Sequence, residues 1–275
     1  MVIREFLREE AKKLSGSPSA ALFDVEVLAA HVLGISRSGL LIHAADEITD
    51  AQKNALSAFV ARRAAGEPVA YLIGEKEFMG LSFSVGEGVL IPRPDTETLV
   101  EWALSCYEGK APRILDICTG SGCIAVSMAH FLPRASVTAY DLSPAALLFA
   151  EKNAQQNHVH LSLVQNDILT EPISGTFDLI LSNPPYISSN AVDSLMPEVK
   201  DFEPRLALEG GEDGLLFYPV IAKKAYAALS PGGHLAVEIG FDQGEAVCEI
   251  MKPYFKEVSL RKDLGGNDRV VIGQK

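Results

Sequence analysis

The apolar run Phe177-Asp178-Leu179-Ile180-Leu181 ends in Ser182-Asn183-Pro184-Pro185-Tyr186, and this junction constrains the fold more than any other stretch. The run reads as a short buried strand opening into a loop. Two consecutive prolines lack N–H donors and have fixed φ, so they cannot continue a central strand. They hold a stiff turn at the strand's carboxyl end, where open α/β sheets place their ligands.

A side-chain amide at Asn183 and a flat ring at Tyr186 bracket that turn, leaving the carbonyls of Asn183 and Pro184 free to point into a pocket. The arrangement suits a planar –NH2 group. Such a group offers two donors, which an Asn oxygen and a neighbouring backbone carbonyl can accept. An aromatic ring can stack on the attached plane. The same residues also fit an ordinary strand-terminating turn with a packed tyrosine, and the turn alone leaves both readings open.

From the start, Ile3, Phe6, Leu7, Ala11 and Leu14 share one helical face over residues 2–14. Pro18 opens a second helix that runs to Gly34, and a short helix is expected near 37–43. Thr49 with Gln52 makes a capping box for a third long helix closed by Gly66. These elements predict an all-helical domain over residues 1–72. Residues 73–95, punctuated by glycines, read as a β-hairpin linker ending in Ile91-Pro92-Arg93-Pro94-Asp95-Thr96-Glu97. Arg93 is held between two prolines, a rigid setting that suits a functional loop.

Residues 96–275 alternate helix and strand. After the helix Leu99–Tyr107, strands are expected at 113–117, 136–140, 161–164, 177–183, 233–239, 256–260 and 268–273. Helices are expected at 123–131, 144–157, 213–229 and 244–254. The fold class is therefore α/β, a doubly wound seven-stranded Rossmann-like sheet.

After the first of these strands, Gly120-x-Gly122-x-x-Ala125 satisfies the dinucleotide fingerprint, with Asp141 about twenty residues on. By this loop alone a nicotinamide dehydrogenase is a rival reading. Asp116 and Gly120, Asp141 and Asp167 close three successive strands toward one crevice. An adenosine fits there, with Asp141 on the ribose hydroxyls and Asp167 near the adenine amine.

The net charge of −12 narrows the partners. Residues 1–75 hold eight Lys/Arg against ten Asp/Glu, and the remainder 16 against 26. A protein that grips a phosphate backbone needs a basic footprint, so bulk nucleic acid is not expected as the partner. No apolar run reaches membrane-spanning length, and Arg4, Glu5, Arg8 and Glu9 replace a signal peptide. The four cysteines form no CxxC pair, consistent with reduced thiols and a cytoplasmic location. The histidines show no ligand spacing, so no metal site is expected.

Asp116-x-x-x-Gly120-x-Gly122 with Asp141 and Asn183-Pro-Pro-Tyr186 resembles a class I S-adenosylmethionine-dependent methyltransferase. Further segments are similar to the peptide chain release factor glutamine methyltransferases. They are Gly66-Glu-Pro68, Tyr71-Leu-x-Gly74, Glu77-Phe78-Met-Gly80-Leu, the Pro-Arg-Pro-Asp-Thr-Glu loop, Glu203-Pro204, Gly210-Gly-x-Asp-Gly214-Leu, Glu238-Ile-Gly240 and Asp263-x-x-Gly266-x-Asp268-Arg269. They run from about residue 66 to 271. The Asn-Pro-Pro-Tyr turn alone is shared with DNA and RNA methyltransferases, and the Pro-Arg-Pro-Asp-Thr-Glu segment makes the match specific.

The resemblance implies methyl transfer from S-adenosylmethionine to a glutamine side-chain amide in a class I release factor, and the chain is expected to be a monomer. The alternatives are an exocyclic amine of DNA or RNA, or a ribosomal-protein glutamine. Asn183, Pro184 and Tyr186 would be catalytic, with Pro185, Phe78 and Arg93 also binding substrate. Asp116, Cys118, Thr119, Gly120, Ser121, Gly122, Asp141, Leu142, Asp167, Ile168 and Asn183 would hold the cofactor. Cys118 stands where methyltransferase loops commonly carry glycine, and it is expected to fit if its backbone is not at φ > 0.

Overall fold

Capping chemistry sets the amino-terminal helices in the computed structural model, which describes residues 1–275. Helix α1 (Ile3–Ala11) buries Ile3, Phe6 and Leu7. The Ser17 hydroxyl accepts from the Ala20 N–H to start α2 (Pro18–Leu33), and Gly34 ends it at φ 65°. After α3 (Arg37–Ile42), the expected capping box of Thr49 and Gln52 starts α4 (Asp50–Ala64). A five-residue helix that the sequence reading lacked, α5 (Val69–Ile73), closes on Gly74.

The chain divides into two compact units, residues 1–75 with 196–202, and residues 76–195 with 203–275. In the first, Val25, Leu28, Ala29 and Val60 are fully buried. The inserted segment packs there through an Arg63–Glu198 ion pair of 2.6 Å and the Phe202 ring beside Gly66.

Strands β1 (Glu75–Phe78) and β2 (Leu81–Ser84) form the hairpin. A single 3₁₀ turn, Pro94–Thr96, leads into α6 (Glu97–Tyr107). Then come β3 (Arg113–Ile117), α7 (Cys123–Phe131), β4 (Ser136–Asp141), α8 (Pro144–Gln156), β5 (Ser162–Gln165) and β6 (Phe177–Ser182). Short helices α9 (Ser189–Val192) and α10 (Pro197–Lys200), absent from the sequence reading, precede α11 (Phe217–Ala228), β7 (Leu229–Glu238), α12 (Gly244–Met251), β8 (Glu257–Lys262) and β9 (Asp268–Gln274).

The seven strands run β5-β4-β3-β6-β7-β9-β8, parallel except at β9, which is antiparallel to both β7 and β8. Both faces are covered, as the period-two pattern demands. Ile114, Leu179 and Leu181 enter one core with Leu99, Trp102 and Met128. Leu115, Ile117 and Ile180 enter the other with Tyr218, Ile221 and Val237. Each such Leu or Ile contributes about 1.5–3 kcal/mol on burial.

The chain leaves β3 toward β4 on one side and returns to β6 on the other. Loops after β3 and β6 therefore diverge, opening a crevice at the carboxyl ends of the strands.

Several boundaries differ from expectation: α6 begins at Glu97 instead of 99, α11 begins at Phe217 instead of 213, β7 at Leu229 instead of 233, and α12 ends at Met251 instead of 254. The residues before β7 were expected to be helical to 229, yet α11 ends at Ala228 and Leu229 already pairs with Phe177. Pro231-Gly232-Gly233 lies inside β7, and the sheet absorbs it as a register shift before Leu179 pairs with His234.

Candidate active site

The crevice between β3 and β6 holds a cavity lined by Cys118, Thr119, Gly120, Ser121, Asp141, Leu142, Asp167, Ile168, Asn183, Pro185 and Arg93. Eleven of the sequence-derived site residues thus meet around one space. Thr96, Pro204, Leu206 and Phe217 are among the other residues that line it.

The loop after β3 owes its shape to backbone conformation. Cys118, Gly120 and Gly122 all adopt positive φ, at 60°, 55° and 80°. Cys118 therefore sits in the left-handed region, so the condition under which a non-glycine residue fits without strain is not met, and it costs about 1–2 kcal/mol there. Burial and the nearby Asp141 and Asp116 carboxylates push its thiol far up, so it is an inert wall residue. Burial likewise holds the Cys123 thiol at about 12.

Gly122 admits no side chain, because a Cβ would lie 3.0 Å from the Ala150 backbone in α8. At Gly120 a Cβ would meet nothing within 4 Å, so the backbone there borders open space. The Gly120 N–H donates to Asp141 Oδ2 at 2.8 Å, and Ser143 N–H donates to Oδ1 at 2.9 Å. The Asp141 carboxylate is thus fixed in place by backbone donors at the edge of the cavity. Asn153, fully buried in α8, donates to the Ser121 and Ser84 carbonyls and ties this loop to β2.

Asp116 lies beneath the loop, wholly buried, and does not line the cavity. Its Oδ2 accepts from Thr119 Oγ1 at 2.6 Å, while Oδ1 has no partner. Burial raises its pKa to about 7. Asp167 uses its carboxylate to cap the next turn, accepting from Leu169 N–H and Thr170 Oγ1, both at 2.9 Å.

The turn after β6 is braced from other parts of the chain. Ser182 Oγ donates to the Ile117 carbonyl at 2.8 Å, fastening the ends of β6 and β3. Asn183 Nδ2 donates to Thr96 Oγ1 at 3.2 Å. Tyr186 OH donates to Glu238 Oε1 at 3.3 Å. Gln243 Nε2 donates to the Tyr186 carbonyl at 3.0 Å. Glycine is required opposite this turn, since a Cβ on Gly214 would sit 2.3 Å from the Tyr186 carbonyl oxygen. A Cβ on Gly210 would sit 2.7 Å from that of Pro185. Pro184 is buried and its carbonyl accepts no backbone hydrogen bond.

Of the sequence-derived substrate residues, Pro184, Tyr186 and Phe78 do not line the cavity, and Arg93 lines it with its charge already paired. Phe78 is 1% exposed, edge-on to Phe83 at 6.0 Å, and belongs to the core instead of the cavity. Its strand turns that side chain inward, into the core that also holds Leu99 and Val100. Arg93 does reach the cavity, but its guanidinium pairs with buried Glu203, whose other oxygen accepts the Ile91 N–H at 3.1 Å. The rigid loop is thus clamped as well as exposed to the cavity.

Sequence reasoning gave no role to Thr96, Glu203, Glu238 or Gln243. The segments containing the first three stood out only by resemblance. Glu238 is 1% exposed, with its pKa raised to about 7 by burial and held back by the Thr96 hydroxyl and Arg269.

Comparison with known proteins agrees with this geometry. Residues 5–74 match the PrmC N-terminal domain and residues 96–199 the methyltransferase small domain. The chain is 45% identical to a release factor glutamine methyltransferase of Bordetella pertussis, over 95% of this chain and 98% of that one. It is 42% identical to the protein so named in Geobacter sulfurreducens, over 92% and 89%. It is 40% identical to that of Moorella thermoacetica, over 100% and 99%. Among solved structures, a methyltransferase from Pyrococcus furiosus superposes with TM-score 0.56 at 22% identity, covering 80% of this chain and 98% of that one. That likeness supports the fold.

Proposed function

This chain belongs to the release factor glutamine methyltransferase family, and from that membership we propose that it methylates the side-chain amide nitrogen of a glutamine in a class I release factor. One observation carries the reading. Asn183 commits its NH2 to Thr96, so its Oδ1 remains as an acceptor at a cavity bordered by the glycine loop.

The residues present fit S-adenosylmethionine. Asp141 lines the cavity as a carboxylate acceptor for the ribose hydroxyls, the Gly120 backbone borders open space, and Leu142 and Ile168 offer apolar surface for adenine. When bound, the cofactor supplies an electrophilic methyl group on sulfur.

The protein's own task is to make a poor nucleophile react. An amide lone pair is delocalised into its carbonyl. Asn183 Oδ1 and the Pro184 carbonyl accept the two N–H groups of the glutamine, orienting that lone pair. Both dipoles also stabilise positive charge growing on nitrogen, an oxyanion hole with its sign reversed. Fixing the amide in line supplies much of the remainder. No strong base is needed, because the methylated amide cation loses its proton readily to water. Tyr186 packs on the amide plane, its hydroxyl anchored on Glu238.

In this reading residues 1–72 dock the protein substrate, residues 73–95 link, and residues 96–275 carry the chemistry. The chain works as a cytoplasmic monomer. No helix is long and apolar enough to cross a membrane.

The test is incubation with labelled S-adenosylmethionine and, separately, a release factor, ribosomal proteins, bulk RNA and DNA. Label is expected on the release factor. Label confined to nucleic acid or ribosomal protein would reject the reading.

A further inference from the structure

Strand β5 lies at one edge of the sheet, and residues 166–176 carry the chain from it past β4 and β3 to β6. A crossover between parallel strands is usually built on a helix. This one contains none.

Its first residues instead form a single turn. The Asn166 N–H donates to the Asp141 carbonyl at 3.0 Å and fixes the entry. Thr170 N–H and Glu171 N–H both donate to the Asp167 carbonyl, at 3.1 and 2.7 Å. The Asp167 carboxylate caps the start of the turn through Leu169 N–H and Thr170 Oγ1. At the other end the Ile168 and Glu171 carbonyls accept no backbone hydrogen bond, as happens where a helical turn runs out.

One ammonium meets both of those carbonyls. Lys224 Nζ, from α11, donates to the Ile168 and Glu171 carbonyls, each at 2.6 Å. A lysine head offers three donors and suits the carbonyl end of a turn. Its helix is a firm base, since Ile221, Ala222 and Ala225 are buried in the same core as Ile168. Further along the crossover, the Ser174 N–H donates to the Tyr140 hydroxyl at 3.3 Å, which leaves the end of the turn itself to Lys224.

Asp167, Ile168 and Leu169 of this turn line the cavity, and Lys224 does not. Lys224 therefore reaches a ligand only through the turn. We infer that Lys224 is a positioning residue for the nucleoside half of the cofactor: by holding the carbonyl end of residues 167–171 it sets the wall against which the adenine packs. The inference rests on the S-adenosylmethionine reading of the cavity. Without the ammonium, two carbonyls lose their donor and the turn loosens, so the ligand must order its own wall on binding. The Asn183 turn is braced by other residues. Affinity and turnover should therefore part.

Calorimetry tests this on full-length wild type, Lys224→Met, Lys224→Arg and Lys223→Met, with S-adenosylmethionine and with 5′-methylthioadenosine. The second ligand keeps the adenosine and sulfur and lacks the amino-acid end. K224M keeps most of the stem and removes the donors. It is expected to weaken both ligands by the same factor, on the order of tenfold, the scale of hydrogen bonds from a charged donor. Its kcat at saturating cofactor should stay within about twofold of wild type. K224R still reaches two carbonyls and should recover most of the affinity. K223M, at the exposed neighbouring position, should match wild type. Without ligand, amide exchange at Thr170 and Glu171 should quicken in K224M and not in K223M.

Wild-type affinity for both ligands in K224M overturns the inference even if the protein unfolds at a lower temperature, because the lysine then serves stability alone. A loss confined to S-adenosylmethionine, with methylthioadenosine unaffected, overturns it too. So does a fall in kcat at unchanged affinity. Should K224M not fold, Lys224→Gln, which keeps an NH2 donor, is read by the same outcomes. A wild type that binds neither ligand fails the cofactor reading itself, a distinct result.

Discussion

The loop after β3 and the turn after β6 end neighbouring parallel strands, and each rests on a buried carboxyl with one unpartnered oxygen, Asp116 and Glu238. They differ in what sets their shape. The β3 loop is shaped first by its own backbone, with positive φ at three positions and Asp116 bonded to Thr119 three residues on, and Asp141 and Asn153 hold it only through its backbone atoms. The β6 turn is held from afar by Thr96, Gly210, Gly214, Glu238 and Gln243. A local loop can cradle an invariant cofactor with backbone atoms. A turn that must aim one amide at a reacting atom needs its side chains fixed in rotation, and only groups from other segments can do that.

Glycine substitution separates the two designs most sharply. Gly214→Ala drives a Cβ to 2.3 Å from the Tyr186 carbonyl at a φ of 76°, where backbone must move. It is expected to cost roughly 4 kcal/mol or more, seen in denaturant unfolding, and to abolish turnover. Gly120→Ala, with nothing within 4 Å, should cost only about 1–2 kcal/mol for the left-handed backbone. Equal costs would show that the β6 turn is not braced by contact.

The buried acid beneath the β3 loop gives a pH signature. Asp116 has its folded pKa raised to about 7, so between its unfolded value of 3.8 and 7 the native state binds more protons than the unfolded one. Stability then falls as pH rises through that window and levels off above it. Relative to Asp116→Asn, wild type should lose on the order of 3 kcal/mol from pH 4 to pH 7 in chemical unfolding without cofactor. A wild type that gains on the variant over that range refutes the burial account.

Asp141→Ala should weaken S-adenosylmethionine binding by roughly 1–3 kcal/mol in calorimetry, the scale for hydrogen bonds to a charged acceptor. Tight NAD binding with S-adenosylmethionine ignored would revive the dehydrogenase reading of the same loop. Smallest of all, Cys118→Gly relieves left-handed strain but adds chain entropy on unfolding, so stability should change by less than about 1 kcal/mol.

The contrast also explains what the sequence disclosed. The β3 loop was legible because glycines three and five residues beyond a strand carry their own meaning, as did Asn183-Pro184-Pro185-Tyr186 after an apolar run. The capping box at Thr49 and Gln52 was legible for the same reason. Glu238 was not, since a glutamate ending a strand 52 residues past Tyr186 gives no local sign of lying under its hydroxyl. Phe78 misled because a phenylalanine in a glycine-punctuated hairpin fits core and cavity equally, and only the packed strand direction decides. Cys118 misled because cysteine is small enough to tolerate a conformation that sequence habits assign to glycine.

The most direct test of the account is the turnover and cofactor affinity of Asn183→Ala and Asn183→Asp on a release factor substrate. The alanine variant should lose on the order of 10²–10³ in kcat, with S-adenosylmethionine affinity changing far less, because the lost interaction grows in the transition state. The aspartate variant keeps an acceptor and should retain more activity than alanine. If both variants fold, bind cofactor and are equally inactive, the acceptor role is wrong, and the Asn183 NH2 is the group that matters.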